Sequence, residues 1–135
     1  MESTSLVCLS CSADALAVWR AYLGALSDRD LSVFATFDHK QNAQDSDLTM
    51  PESKVIVFGN PAAGTPLMLQ APTLALDLPL KVLIRETELG CEVVYTHPSA
   101  LAERHGLAPE TEGIVMMGKL LADLAKQACN DAREE

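Results

Sequence analysis

The sequence predicts an α+β domain: a five-stranded, mainly antiparallel sheet with its long helices on one face. Near both ends of the chain, apolar residues recur at spacings of three and four, which is typical of amphipathic helices. One short apolar run precedes the first helix, and four more lie between the two helices. This order of strand, helix, four strands and helix favours helices segregated to one face. Residues 1–135 can bury a core and are expected to form one domain.

The first strand and helix are predicted from the N-terminal segment. Residues 4–9, TSLVCL, form a short apolar run that is consistent with a strand. Ser10 or Ser12 can cap the helix that follows, because serine side chains accept hydrogen bonds from the first helical N–H groups. The apolar face of this helix consists of Leu16, Trp19, Leu23 and Leu26.

Two further strands follow. Residues 31–37, LSVFATF, alternate between the two sides of an extended chain, as a strand does. Residues 38–47 are polar and predict a loop or one weak helical turn. Residues 55–58, VIVF, are apolar without alternation, which indicates a strand that is buried on both faces.

The segment FGNPAAGTP, residues 58–66, resembles a phosphate-binding loop only in part. Gly59 and Gly64 have the spacing of the two P-loop glycines, but Thr65 and Pro66 stand where a P-loop has lysine and then serine or threonine. The segment therefore predicts a turn and a helix start, with Thr65 as the cap and Pro66 at the first helical position.

The C-terminal half predicts a hairpin and two helices. Residues 78–86 and 91–97 read as two strands, with Gly90 in the turn. Residues 98–105 predict a short helix that ends at Gly106. A longer helix follows, and residues 130–135 are expected to be a frayed tail. The apolar stripe of this last helix consists of Ile114, Met117, Leu121, Leu124 and Ala128, widened by Met116 and Leu120.

The apolar strands predict a partner. Because two long helices can cover only one side of five strands, something else must cover the other side. A second copy of the chain, related by a two-fold axis, would do so. The sequence therefore predicts a homodimer.

Composition and charge limit the partners and the cellular location that the sequence predicts. The net charge of −9 opposes binding to phosphate backbones, so no nucleic-acid partner is expected. No apolar run is long enough to span a bilayer and the N-terminus has no basic region, so we expect a cytoplasmic protein without a membrane partner. In that compartment the four cysteines are expected to be reduced.

The candidate site residues each have a functional and a structural interpretation. His39 is a candidate general base or ligand, or a side chain that fixes the turn. Asn60, Gly64 and Thr65 can present the N–H groups of a helix N-terminus to an anion. Alternatively, this segment has only a structural role, in which glycine permits the backbone conformation of a turn. Met68 beside them is a core filler or a pocket residue. Asp77 completes the candidate ligand-binding set by facing the pocket, or hydrogen-bonds local backbone.

The spacing of the cysteines and histidines does not predict a metal site. Cys8 and Cys11 form a C-x-x-C at a strand-to-helix junction, where a helix N-terminus would lower a thiol pKa. A redox pair and two small buried hydrophobes are both consistent with this. No second C-x-x-C accompanies it, so a zinc site is not predicted. His97 is predicted to cap a short helix, and His105 is predicted to be a cation in its last turn, where the helix dipole favours it.

Four segments together resemble a known family. FDHKQNA, VIVFGNPAAGTPLM, ALDLPLKVLI and VVYTHPSALAERHGL follow one another as in the signature blocks of the domain of unknown function 302 (DUF302) family, over residues 32–107. The resemblance implies a TATA-binding-protein-like fold and a homodimer, and it implies no activity. The N-terminal cysteines depart from the family pattern.

Three functions remain as hypotheses. The first is a homodimeric binding or interaction module whose pocket, near His39, Asn60, Thr65 and Met68, takes a small ligand, with anions among the candidates. The second is an enzyme of unknown class in which His39 is the acid/base and N–H groups at Thr65 stabilise negative charge. The third, weaker one is a thiol-redox, haem or metal protein. The sequence identifies no cofactor.

Overall fold

Residues 5–134 are described by a computed structural model, and they form a five-stranded sheet with five α-helices and one 3-10 turn. The sheet order is β1-β5-β4-β3-β2, and every neighbouring pair is antiparallel. The α+β fold predicted from the sequence is confirmed. In chain order the elements are β1 (Leu6–Cys11), α1 (Ala15–Asp28), β2 (Ser32–Asp38), α2 (His39–Asp45), β3 (Ser53–Gly59), α3 (Pro61–Gln70), the 3-10 turn (Pro72–Leu76), β4 (Leu80–Thr87), β5 (Gly90–Thr96), α4 (Pro98–Arg104) and α5 (Glu112–Arg133).

The main core lies between one face of the sheet and the two long helices. Alternation along each strand directs every second side chain to this face, and the three- and four-residue spacings of α1 and α5 bring their apolar stripes onto it. The expectation that both long helices share one face is therefore confirmed. The fully buried members include Val18, Tyr22 and Leu26 of α1, Leu121 and Leu124 of α5, and Ile56, Phe58, Val82, Ile84 and Val93 of the strands.

A second, smaller core holds the short helices together. It joins α3, the 3-10 turn and α4 to the first turns of α5, and Met117 packs against both cores. This cluster fixes α3 beside the start of α5, where the candidate site lies. Its buried members are Leu67, Ala71, Leu74, Leu101, Ala102 and Ile114.

The opposite face of the sheet is also apolar. Val57 lies between the core residues Ile56 and Phe58 in β3 and therefore points to this opposite face, where it is buried but belongs to neither core. Leu6, at the edge of this face, is 53% exposed, and Phe37 is 48% exposed. We call this surface the open face. Its central row crosses all five strands in register and consists of Phe37, Val55, Leu83, Val94 and Cys8.

Two helix starts differ from those predicted. α1 is capped by Asp14, whose Oδ1 accepts a hydrogen bond from the Leu16 N–H at 3.2 Å, rather than by Ser10 or Ser12. α3 begins at Pro61 rather than Pro66, because Asn60 caps it: the Asn60 Oδ1 accepts a hydrogen bond from the Ala62 N–H at 2.9 Å. Pro66 consequently lies inside the helix.

Helical structure is also more extensive than predicted. The polar segment after β2 forms the helix α2 because the Asp38 carboxylate caps it, accepting from the Gln41 N–H at 2.9 Å. α5 continues to Arg133, where a frayed tail was expected. Its last turn remains ordered because Ala132 is buried in the main core.

The cysteine predictions were wrong in two respects: two of the four cysteines are not reduced, and Cys8 is exposed and not a small buried hydrophobe. Cys11 and Cys129 form a disulfide, with their Cα atoms 5.8 Å apart, whereas reduced thiols were expected. The two residues meet because the end of β1 packs against the last turns of α5. Cys8 and Cys11 do not pair with each other, since residues three apart in a strand point to opposite faces. Cys8 is exposed and Cys91 is buried, both as free thiols.

Replacing Tyr22 by phenylalanine is expected to preserve or raise stability. The Tyr22 ring packs edge-on against Phe58 with centroids 5.9 Å apart, yet its buried hydroxyl has no hydrogen-bond partner among the described residues. Burial also raises the pKa of this hydroxyl, so it stays protonated. Tyr22→Phe keeps the packing and removes the unpaired group, for a gain of up to about 1 kcal/mol in the free energy of unfolding. Urea denaturation measures this, with Tyr22→Leu as the control that loses the ring; a clear loss in Tyr22→Phe would mean that the hydroxyl is bonded.

Candidate functional site: an apolar groove between α3 and α5

A groove of about 570 Å³ lies between α3, the start of α5, the beginning of β2 and the segment that leads into β4. Most of its wall is apolar, and much of it is open: Phe34 is 49% exposed and Met116 is 62% exposed. The larger apolar side chains that line it are Leu31, Phe34, Met68, Leu78, Leu80, Met116, Met117 and Leu120.

Gly113 allows the start of α5 to pack closely against α3 at the groove. A Cβ atom on Gly113 would lie only 3.1–3.3 Å from the side chain of Leu67, so the first turn of α5 approaches α3 as closely as a glycine allows. A Cβ atom on Gly64 would lie 3.6 Å from Leu78, which is ordinary contact. The groove is thus formed by two closely packed helix starts and a strand entry.

Four of the six candidate residues lie together at this groove. Asn60, Gly64, Thr65 and Met68 all line it, because they belong to one cap and the helix that follows. The sequence reasoning missed the α5 side of the wall. The signal was available in Met116, which falls outside the narrow stripe that packs on the sheet and remains exposed.

The N–H groups at the start of α3 are already bonded. Pro61 has none, and the Ala62 N–H donates to the Asn60 side chain. The Ala63 and Gly64 N–H groups donate to the Asn60 backbone carbonyl at 2.9 and 3.1 Å. The first turn of α3 therefore presents no free donor to an anion.

His39 lies away from the groove. It is exposed at the first position of α2, beyond the end of β2, while the groove contacts β2 at Phe34. Five residues of strand separate the two by about 16 Å at a rise of roughly 3.3 Å per residue. The structure does not bring His39 and Thr65 together.

The residue before His39 belongs to a charged cluster. The Lys54 Nζ lies 2.5 Å from the Asp38 Oδ2 and 5.3 Å from the centre of the Trp19 ring. The hydrogen bond from Lys54, and then that from the Gln41 N–H, hold the pKa of Asp38 below its usual value. These contacts tie the end of β2 to β3 and α1.

Asp77 does not line the groove, but its hydrogen bonds attach the segment before the groove wall to α4. Its Oδ2 accepts hydrogen bonds from His105 Nε2 at 2.5 Å and from Arg104 Nη1 at 3.0 Å. The His105 Nδ1 lies 2.8 Å from the Thr73 hydroxyl, so the end of α4 is attached to both ends of the 3-10 turn. The next residues along the chain, Leu78 and Pro79, do line the groove and are joined by a cis peptide bond.

Replacing Asp77 by asparagine is expected to lower stability at neutral pH and to reduce its loss in acid. The hydrogen bond from His105, followed by that from Arg104, lowers the pKa of Asp77 in the folded protein. Stability from this carboxylate is therefore complete above the unfolded pKa near 4, and is lost as the pH falls through the lower folded value. Asp77→Asn should cost about 1 kcal/mol at pH 7 and little at pH 2.

Urea midpoints at the two pH values test this, with Asp123→Asn, an exposed carboxylate of α5, as the control. An Asp77→Asn deficit of equal size at pH 7 and pH 2 would contradict the ionic role of Asp77.

Within residues 5–134, no group of three or more His, Cys, Asp or Glu side chains is placed to hold a metal ion. Over the same residues, no helix combines the length and apolar character needed to cross a membrane.

The sequence model of the family described as "Domain of unknown function DUF302" matches residues 9–125. The chain belongs to the DUF302 family. The resemblance found in the signature segments is thereby confirmed. A solved structure of an uncharacterised conserved DUF302 protein from Bacillus stearothermophilus superimposes with a TM-score of 0.83, covering 94% of this chain and 99% of that one. At 14% identity this likeness shows the DUF302 fold alone.

Curated relatives share a segment with this DUF302 chain. It is 38% identical over 78 residues to the fluoride-specific ion channel FluC 1 of Brucella suis biovar 1, covering 57% of this chain and 31% of that protein. The FluC 1 protein of Brucella abortus biovar 1 matches at the same identity over 29% of its length. The match thus spans less than a third of these relatives.

Proposed function

We propose that this DUF302 protein is a homodimeric module that binds a small molecule in the groove between α3 and α5. The observation that carries the proposal is the groove itself: about 570 Å³, largely apolar and accessible from solvent. Ligand pockets typically have volumes of roughly 300 to 1,000 Å³, with apolar walls and a few polar groups. Asn60, Thr65 and Glu112 are such groups at this groove.

The open face supports the dimer. Phe37 leaves about half of its surface in water, and exposed Cys8 ends the same apolar row. A two-fold axis would place the open face of one chain against the open face of a second chain. The central apolar row of each chain would then be removed from water. The polar row beside it, in which Arg85 pairs with Glu92 at 2.7 Å, would lie next to the apolar contact.

The geometry favours binding over the two alternatives. An enzyme that combines His39 with Thr65 would need them in one pocket, and the length of β2 separates them. A redox pair of Cys8 and Cys11 would need Cys11 to be free of Cys129.

The binding proposal is tested with Nile red, an uncharged dye that fluoresces in apolar surroundings. Ala63 lines the groove and is exposed, so tryptophan there should fill the groove and weaken dye binding at least about tenfold, the equivalent of about 1.4 kcal/mol. The matched control is Ala62→Trp, the preceding exposed residue of α3, which does not line the groove. Equal dye binding by the two variants would overturn the proposal.

The shared segment in the Brucella channels favours a second candidate function, a ligand-sensing part that acts on an ion channel. Deleting the matched segment from the Brucella suis protein should then change its fluoride flux in liposomes. Unchanged flux, with and without a groove ligand, would remove this candidate.

A further inference from the structure

We propose that the groove selects an uncharged apolar molecule and rejects an anion of the same shape. This inference rests on the proposed binding function and adds the chemical class of the ligand. Anions were among the candidates from sequence because the Asn60–Thr65 segment resembles a helix start that cradles them. The contacts of the described residues point the other way.

The side chains that line the groove indicate the size and flexibility of the ligand. Met68, Met116 and Met117 face the groove from two helices, and methionine side chains adapt their shape to flexible apolar groups. At roughly 30 Å³ for each non-hydrogen atom, the share of a water molecule in the liquid, the groove has room for a ligand of up to about 15 to 20 such atoms. An aliphatic chain or a small ring system meets this description.

The charges around the groove disfavour an anion. Glu112 is the one charged residue among those that line it. The nearby Lys81 does not line the groove, and its Nζ lies 3.3 Å from the Asp77 carbonyl oxygen and 3.4 Å from the Pro79 carbonyl oxygen. The net charge of the chain, −9, acts in the same direction. A carboxylate in the groove would therefore meet the Glu112 carboxylate, and none of the described residues that line the groove is cationic.

The helix starts do not reverse this preference. The first N–H groups of α3 all donate to Asn60. At the start of α5, Glu112 itself lies in the first turn, where its carboxylate already interacts favourably with the helix dipole. An anionic ligand would compete with that carboxylate.

The test is displacement of Nile red by two compounds of ten carbon atoms each, 1-decanol and decanoate, at pH 8. We expect decanol to displace the dye at a concentration at least tenfold lower than decanoate. Glu112→Gln should reduce this ratio at least threefold by improving decanoate. The matched control, Glu110→Gln, removes an exposed carboxylate that does not line the groove and should leave the ratio unchanged.

Decanoate that binds as tightly as decanol would overturn the inference and leave the binding function standing. Displacement by neither compound, with the dye still bound in the groove, would also overturn it. Failure of the dye to distinguish Ala63→Trp from Ala62→Trp would instead refute the binding function itself.

Discussion

Replacing Phe37 by aspartate is expected to convert the proposed dimer into monomers. Phe37 is 48% exposed at one end of the central row of the open face, in register with Val55. In the proposed dimer its ring would be buried, and an aspartate there would bury a charge without a partner. We expect a loss of about 3 kcal/mol or more in the free energy of association, which is a weakening of more than a hundredfold.

Sedimentation equilibrium measures the change, and circular dichroism verifies that the variant remains folded. The matched control is Leu89→Asp, because Leu89 is 85% exposed in the turn between β4 and β5 and lies outside the row. A Phe37→Asp protein that dimerises like wild type would exclude the open face as the interface.

Replacing Cys129 by serine is expected to lower the stability of the fold more than any other single change discussed above. The disulfide joins residues 118 positions apart and connects the end of β1 to α5. Closing a loop of this length stabilises a protein by about 3 to 5 kcal/mol, mainly by restricting the unfolded chain. The thermal midpoint of Cys129→Ser should therefore fall by several degrees.

A reductant should lower the midpoint of the wild type to that of Cys129→Ser and leave the variant unaffected. Cys8→Ser, which changes an exposed free thiol, is the control and should behave as the wild type does. A wild-type midpoint that does not respond to reductant would show that the disulfide does not support the fold.

The sequence predicted the elements whose signals are local and periodic. The unbroken apolar run VIVF lies in β3, where Ile56 and Phe58 are buried in the main core. The stripe of α5 packs on the sheet because its apolar residues recur at spacings of three and four. The start of α3 was misplaced because Asn60–Pro61 and Thr65–Pro66 satisfy the same capping rule. α2 was predicted only as a loop or one weak helical turn because it has no apolar face: none of its residues is buried, and Asp38 caps it.

Only part of the candidate site could be predicted from the sequence, because only part of it is formed by residues that are close together in the chain. Asn60, Gly64, Thr65 and Met68 are neighbours in the chain, so a motif could group them. Glu112 and its neighbours in α5 join them only through tertiary packing, which no spacing reveals. Asp77 and His39 were grouped with the site by their chemistry, whereas Asp77 pairs with His105 and His39 lies beyond the far end of β2.

Native mass spectrometry of freshly purified protein tests the central claim most directly, because it reports subunit number and retained small molecules in one spectrum. We predict a species of two chains of 14.5 kDa each, carrying an uncharged apolar molecule that Ala63→Trp fails to retain. A bare single chain at micromolar concentration would contradict both the covering of the open face by a second copy and the occupation of the groove.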